Sequence, residues 1–357
     1  MINYLNLGAD KQLNEIVMAG SHDAAITQGS ANAQTQDLDI YDQAAAGVRI
    51  FDIRITGAVV KKGGESDVLA LKAYHGPGGK STKTGVDLRT GESTDMKVKS
   101  LSGGTYGMTL SKILADASKF VQKETSEFLI LKFDKCDNWG LIAEACVEML
   151  GDRICKLRGN LNLRKLSELR GKVVVLFSEK GRQAVGWPDA AARGILAFQN
   201  LKSGGAFDRN FDGLQYFGKG GTSVAKPFGK TQQNVDNQAK LMKKGVRTSP
   251  DVMGMMYWTT TGVFESIKER NDAMWTKVKK DSLRKLWTQG LYESIQERIG
   301  ATIDGKAHSN GPVLKAFMPN FVMVDFADED KCETIFDLNT VASVDLTDAA
   351  TVLAPIG

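Results

Sequence analysis

Ile16-Val17-Met18-Ala19-Gly20-Ser21-His22-Asp23-Ala24-Ala25 is an apolar run that stops abruptly at a glycine and gives way to small polar residues. A run of this length, closed by Gly20, reads as a buried strand whose C-terminal end opens into a loop. Ser21 or Asp23 could instead cap a helix beginning near Ala24, and capping residues are commoner than catalytic ones. The decision rests on whether the pattern recurs.

It does recur. Apolar, β-branched runs return at Val48 to Ile55, Phe128 to Phe133, Val173 to Phe177, Val252 to Trp258 and Phe321 to Phe326. Helical patterns lie between them, near 37–46, 109–124, 138–150, 164–169, 232–244, 262–280 and 282–300. Strand and helix alternating over most of a chain predict a parallel sheet, and six or more such strands favour a closed or nearly closed barrel. No fixed-period repeat and no Pro-Ser linker divides residues 1–357, so one domain is expected. The polar stretch 76–107 is too long for an ordinary connection and reads as a rim loop or insertion. Lys202 to Gly229, with Gly204-Gly205, Gly218 and Gly220-Gly221, reads as a second loop. In 262–300, Met274, Val278, Leu283, Trp287, Leu291 and Ile295 mark a buried face opposite a basic one; a sharper alternative places that basic face and a tryptophan on lipid.

Composition narrows the class. With 42% hydrophobic and 25% charged residues the chain is ordinary for a globular protein, and a net charge of +4 on 357 residues does not argue for a nucleic-acid binder. No apolar run reaches the length of a membrane span, and Met1-Ile2-Asn3-Tyr4-Leu5 lacks the pattern of a secretory signal. A cytoplasmic protein, a signal already removed, or export by a signal-independent route all fit. Cys136, Cys146, Cys155 and Cys332 have no metal-binding spacing and read as small apolar residues of a reduced protein. There are three histidines, His22, His75 and His308, too few for a multi-histidine metal centre.

Four further strand ends carry candidate chemistry. In Gly47-Val48-Arg49-Ile50-Phe51-Asp52-Ile53-Arg54-Ile55, strand periodicity puts Asp52 and Arg54 on the face of Ile50, opposite Arg49, Phe51 and Ile53. Such a pair is costly to bury unless matched, either as a structural ion pair or as a guanidinium held ready for a phosphate. Tyr74-His75-Gly76-Pro77 ends another apolar-leaning strand, so two histidines are expected at the C-terminal rim where barrels assemble active sites. One neutral and one protonated imidazole across a phosphate suit in-line phosphodiester cleavage. Asp325, in Val324-Asp325-Phe326, could orient a histidine or merely cap a helix. Lys132, in Leu131-Lys132-Phe133, is expected to add positive potential at the mouth. His308 reads as a surface-loop residue.

The ordered set Gly20-Ser21-His22-Asp23, Phe51-Asp52-Ile53-Arg54, His75-Gly76-Pro77 and Val324-Asp325-Phe326 resembles the bacterial phosphatidylinositol-specific phospholipase C family, the X-domain phospholipases. Leu166-Ser167-Glu168-Leu169-Arg170-Gly171-Lys172 is similar to the family's approach to a mid-barrel strand. The resemblance implies a distorted or incomplete TIM (β/α) barrel in a single domain. It implies a phosphatidylinositol diacylglycerol-lyase that needs no cofactor, with His22 as general base oriented by Asp325. His75 would be the general acid assisted by Asp23, and Arg54 would hold the phosphate, steadied by Asp52. The family's inositol-holding arginine is not placed; Lys180 and Arg182, with Lys132, are the basic candidates for substrate contact. The expected partner is phospholipid at a membrane surface, met by a monomer, with no nucleic acid and no metal. Two other readings stay open: an idle barrel that binds inositol phosphates or membranes, and a metal-dependent phosphodiesterase for another head group.

Overall fold

Eight strands close a parallel ring in the computed structural model of the protein, which describes residues 1–63, 66–219, 233–238, 251–260, 266–281, 283–284 and 319–342. The first, β1 (Met18–Ser21), is followed by β2 (Val48–Ile53). A side sheet then intervenes, made of β3 (Ile55–Lys61), β4 (Asp67–His75), β5 (Lys80–Asp87), β6 (Ser93–Lys99) and β7 (Thr105–Thr109). The ring resumes with β8 (Leu129–Phe133), β9 (Val173–Ser178), β10 (Ile195–Asn200), β11 (Gly213–Lys219), β12 (Met253–Tyr257) and β13 (Pro319–Val324). Ring neighbours follow chain order from β8 to β13, β2 pairs with both β1 and β8, and β13 returns to β1 with Ser21 beside Val324. The barrel is therefore complete, and its departure from the regular pattern lies in the side sheet.

The strands are almost continuously apolar because both of their faces are covered. Alternate residues fill two shells. Met18, Ile50, Ile130, Val174, Leu196, Phe321 and Met323 pack inside the ring, while Val17, Ala19, Phe51, Leu131 and Val175 pack outward. Against that outer shell lie α1 (Ile40–Ala46), α2 (Leu110–Lys123) and α3 (Trp139–Leu150). Helix α2 starts where the Thr109 side chain accepts from Lys112 N, and buries Ile113, Leu114, Ala117, Phe120 and Val121, the three-to-four spacing of one helical face. At Gly20 the interior has no room: a Cβ there would lie 2.2 Å from Met323 Sδ and 2.7 Å from Ile50 Cγ2. Further short helices are α4 (Leu166–Leu169), α5 (Glu179–Val185), α6 (Ile267–Met274) and α7 (Glu329–Phe336).

Several expectations need correcting. Residues 76–107, read as a rim loop or an insertion, are built of strands: they supply β5, β6 and the start of β7 to a sheet ordered β3-β6-β5-β4-β7. Strand β4 belongs to that sheet, so His75 does not stand at the end of a barrel strand. Strands β10 and β11 were not expected, and β11 falls inside the stretch read as a glycine-rich loop. Its centre, Gln215, is 1% exposed and looks polar in sequence, but Asn160, Gln199 and Ala206 satisfy its side chain. Helix α6 ends at Trp275 and helix resumes at 277–281, so the phase of the buried stripe resets and Val278 is 71% exposed rather than buried. The helix expected at 282–300 with Trp287, Leu291 and Ile295, most of the one at 232–244, and His308 lie outside the described residues. All four cysteines are buried and free.

At the bottom of the ring Arg49 is wholly buried. Its Nε donates to Glu127 at 2.6 Å, its other nitrogens donate to the carbonyls of Ala44, Val48 and Ile2, and its plane lies 5.1 Å from the rings of Tyr4 and Phe120. Glu127 in turn accepts from Tyr4 N at 2.8 Å. Removing one partner strands a buried charge. Glu127→Ala should therefore lose about 3–5 kcal/mol in urea unfolding, whereas the paired change Arg49→Met with Glu127→Leu should lose clearly less.

Candidate active site

The inward positions of the ring change character at one level. Below it they are Gly20, Ile50, Ile130 and Met323; one step further along each strand, two residues on, they are His22, Asp52, Lys132 and Asp325. A period of two brings these polar side chains from β1, β2, β8 and β13 to the same C-terminal mouth. Asp52 and Lys132 are direct neighbours across β2 and β8.

The hub is Asp23. Its Oδ2 lies 2.7 Å from His75 Nδ1 and 3.6 Å from His22 Nε2, and its Oδ1 lies 2.9 Å from Arg54 Nε. The carboxylate is 1% exposed. A strand continued beyond His22 would have turned Asp23 outward; instead its φ is +43°, a left-handed conformation that Asp tolerates at a cost of order 1–2 kcal/mol. Three bonds hold that turn. Thr35 Oγ1 donates to Asp23 O at 2.8 Å, Ala24 N donates to Asp52 O at 2.9 Å, and buried Gln36 donates to His22 O at 2.9 Å.

His22 is held on its other side, with Nδ1 2.9 Å from Asp325 Oδ1 and Tyr257 edge-on at 5.6 Å between ring centres. Asp325 is followed by Phe326 at φ +48°, whose N–H donates to Thr35 O at 2.7 Å. The same threonine thus ties both irregular turns. Arg54, expected to lean on Asp52, leans on Asp23; Asp52 Oδ2 is 3.7 Å from its Nη2. Asp52 is instead taken by Lys132, whose Nζ is 2.8 Å away. Lys132 belongs to that inward layer but does not open to solvent. It is 1% exposed and its ammonium lies 4.4 Å from the Phe198 ring centre.

The charges set one another. Burial alone would discharge His22, but Asp23 and Asp325 overcome it and raise the ring to about 9. Burial would likewise raise Asp23, yet His22, Arg54 and the hydrogen bond from His75 hold it well below the usual carboxylate range. Asp52 is lowered, since Lys132 and Arg54 outweigh its burial, while Asp325 is raised because burial outweighs His22. Three carboxylates thus face Arg54, Lys132 and a protonated His22. His22, Asp23 and Asp52 also form a group whose ligand atoms lie within 4.8 Å of one another, the geometry a metal could use. A divalent ion there would have to displace Arg54 and Lys132 from the two aspartates.

Beside this centre a cavity of about 600 Å³ opens between the ends of β8, β9 and β10, lined by Asp134, Cys136, Trp139, Ser178, Lys180 and Asn200 among others. Lys180 lines this cavity and is exposed. Arg182 is not part of the lining; it is half-buried on α5, within electrostatic reach of Asp189.

Taken together, a closed parallel barrel with histidine, aspartate and arginine at its C-terminal mouth defines a barrel with an enzyme-like centre. Among solved structures the chain is similar to the phosphatidylinositol-specific phospholipase C from Listeria monocytogenes, with a TM-score of 0.51 and 14% identity over 92% of this chain and 95% of that one. It is also similar to a double mutant of the Staphylococcus aureus phosphatidylinositol-specific phospholipase C, with a TM-score of 0.50 and 16% identity over 94% and 96%. At these identities the likeness is one of fold. No protein-family model matches the chain, and no curated protein is similar to it in sequence. No helix among the described residues is long and apolar enough to cross a membrane.

The raised His22 has a measurable consequence. Its folded value lies above the ordinary 6.5, so the stability it confers is complete below about 6.5 and is lost as pH climbs through about 9. In NMR titration the His22 ring should turn over near 9, and Asp325→Asn should move that midpoint down.

Proposed function

We propose that the protein is a metal-independent phospholipase C that cleaves phosphatidylinositol, or a lipid anchored through it, to diacylglycerol and inositol 1,2-cyclic phosphate. One observation carries the reading. Two imidazoles, each held through Nδ1 by a buried carboxylate, flank a guanidinium fixed by one of those same carboxylates. A binding site needs positive charge, but not two histidines oriented for proton transfer.

The roles in this reading are as follows. Arg54 receives the phosphate and offsets its charge. His22, when neutral, takes the proton of the inositol 2-hydroxyl as that oxygen attacks phosphorus. The bond from phosphorus to the glycerol oxygen breaks, and His75 delivers a proton to that oxygen. Attack within one molecule makes proximity a large part of the rate. Asp325 and Asp23 are positioning residues for the two rings. Lys132 acts one layer back, keeping Asp52 ionised beneath Arg54. The cavity beside Asp134 and Asn200 offers room and hydrogen bonds for a polyhydroxylated ring. Arg54 sets a fixed guanidinium beside the two imidazoles, and a guanidinium can bind a phosphate where a divalent cation otherwise would, which supports catalysis without one.

Hydrolysis assays with phosphatidylinositol and phosphatidylcholine in mixed micelles, chelator present, test this. Only the inositol lipid should be cleaved, a cyclic phosphate should accumulate, and His22→Ala and His75→Ala should each lose about 10²–10⁴-fold. Activity that waits for added calcium, or that prefers the choline lipid, would assign the barrel to a metal-dependent phosphodiesterase. Because the free enzyme holds His22 protonated at neutral pH, kcat/KM for a substrate whose leaving group needs no proton should climb about tenfold per pH unit below 9. A limb that flattens near pH 6.5 would remove His22 from the role of base.

A further inference from the structure

We propose that the lip formed by Pro77 and Leu101, with Lys80, Lys97 and Lys99 beside it, docks the protein on a bilayer surface rich in anionic phospholipid. The inference rests on the functional reading in one respect: it takes His75 as the group nearest the departing lipid.

The lip begins where His75 ends. Gly76 has φ +134°, and a Cβ on it would lie 2.4 Å from Gly104 Cα, so the segments 76–79 and 100–104 are pressed together. Ser100 N donates to Gly79 O at 2.9 Å, Gly79 N donates to Ser100 Oγ at 3.0 Å, and Tyr74 Oη donates to Ser100 O at 2.8 Å. This built turn presents Pro77 and Leu101 to solvent, Leu101 being 64% exposed. An apolar side chain is thus offered to water within a few residues of the catalytic rim.

The charge beside it is patterned. Antiparallel register sets Lys80 opposite Lys99 and Thr82 opposite Lys97. All four therefore share one face of β5 and β6, while Met96 and Val98 occupy the other and are buried. Like charges placed opposite each other destabilise a sheet. The acidic groups on hand do not balance them. Asp137 takes Lys80 at 2.8 Å and also accepts from Thr56 at 3.1 Å; Asp95, on the lysine face, accepts from Thr84 at 2.6 Å. Lys99 makes no ion pair among the described residues, and its ammonium sits 4.8 Å from the Tyr74 ring centre. Partial burial, with Lys80 and Arg54 nearby, draws Lys99 below its ordinary value despite Asp137. A plane of lipid phosphates and carboxylates supplies anions to Lys97 and Lys99, adds to the one Lys80 already has in Asp137, and gives Leu101 a place among the upper acyl carbons. Docked this way, the face that carries His75 meets the membrane, and a diacylglycerol released there has a short path back into it.

The test is co-sedimentation of the full chain with vesicles of phosphatidylcholine alone and of phosphatidylcholine with phosphatidylserine, at low and high salt. Wild type should partition onto the anionic vesicles and lose that preference in salt. Replacing the three lysines together (Lys80→Gln, Lys97→Gln, Lys99→Gln) should cut partitioning roughly hundredfold. Leu101→Ser, at an exposed turn, should cut it about tenfold without touching charge. Thermal unfolding of each variant at the wild-type midpoint establishes that the fold is kept. Both should cleave a short-chain, monomeric phosphatidylinositol at the wild-type rate, so that a wild type inert towards that substrate refutes the catalytic reading while the vesicle result still stands. Equal partitioning onto neutral and anionic vesicles, or full partitioning by the lysine variant, overturns the proposal.

Discussion

One buried carboxylate organises the centre. Asp23 reaches His75, Arg54 and His22 with two oxygens, and the side chain is 1% exposed, so each contact acts where water screens little. Its charge is the reason a guanidinium and two imidazoles can crowd one mouth without expelling one another. The left-handed turn that aims it, clamped through Thr35, is the strained element on which the site depends. Elsewhere the barrel uses ordinary geometry.

Two separate sheets meet at that carboxylate. The ring supplies His22, Arg54 and Asp325 from β1, β2 and β13, neighbours in space, at the level where its inward layer turns polar. The side sheet supplies His75 from β4. Rigid strands place both rings, and the same sheet carries the lysine face and the lip. His75, the lysine face and the exposed lip are thus mechanically joined in one insertion between β2 and α2. Lys132 shows a complementary logic: a charge that never meets solvent still shapes the mouth, because it leaves Asp52 ionised beneath the arginine.

The barrel was legible because its strands are apolar on both faces, a signal strong enough to locate six of the eight. The two that escaped, β10 and β11, hide behind glycines and behind Gln215, whose buried amide is satisfied by Asn160, Gln199, Ala206 and Asp208, residues of other segments. His22, Asp52, Arg54 and Asp325 were readable from alternation, since a polar residue in phase with a buried face must have a partner. The partners themselves were not. Nothing in Asp52-Ile53-Arg54 says that Arg54 turns to Asp23 and Asp52 to Lys132, because each choice depends on the neighbouring strand. Strand β4 ends in a histidine as a barrel strand would, and only pairing in space distinguishes the two.

The bond between His22 and Asp325 closes the ring between its first strand and its last, across 303 residues. Such a contact has a very long loop to close, which disfavours its early formation. During synthesis at about 5–20 residues per second, His22 waits some 15–60 s for its partner to be made. Until then β1 has an open edge, and Asp23 and Arg54 have no completed mouth to share. The mouth is therefore completed only once β13 has been made and has joined β1.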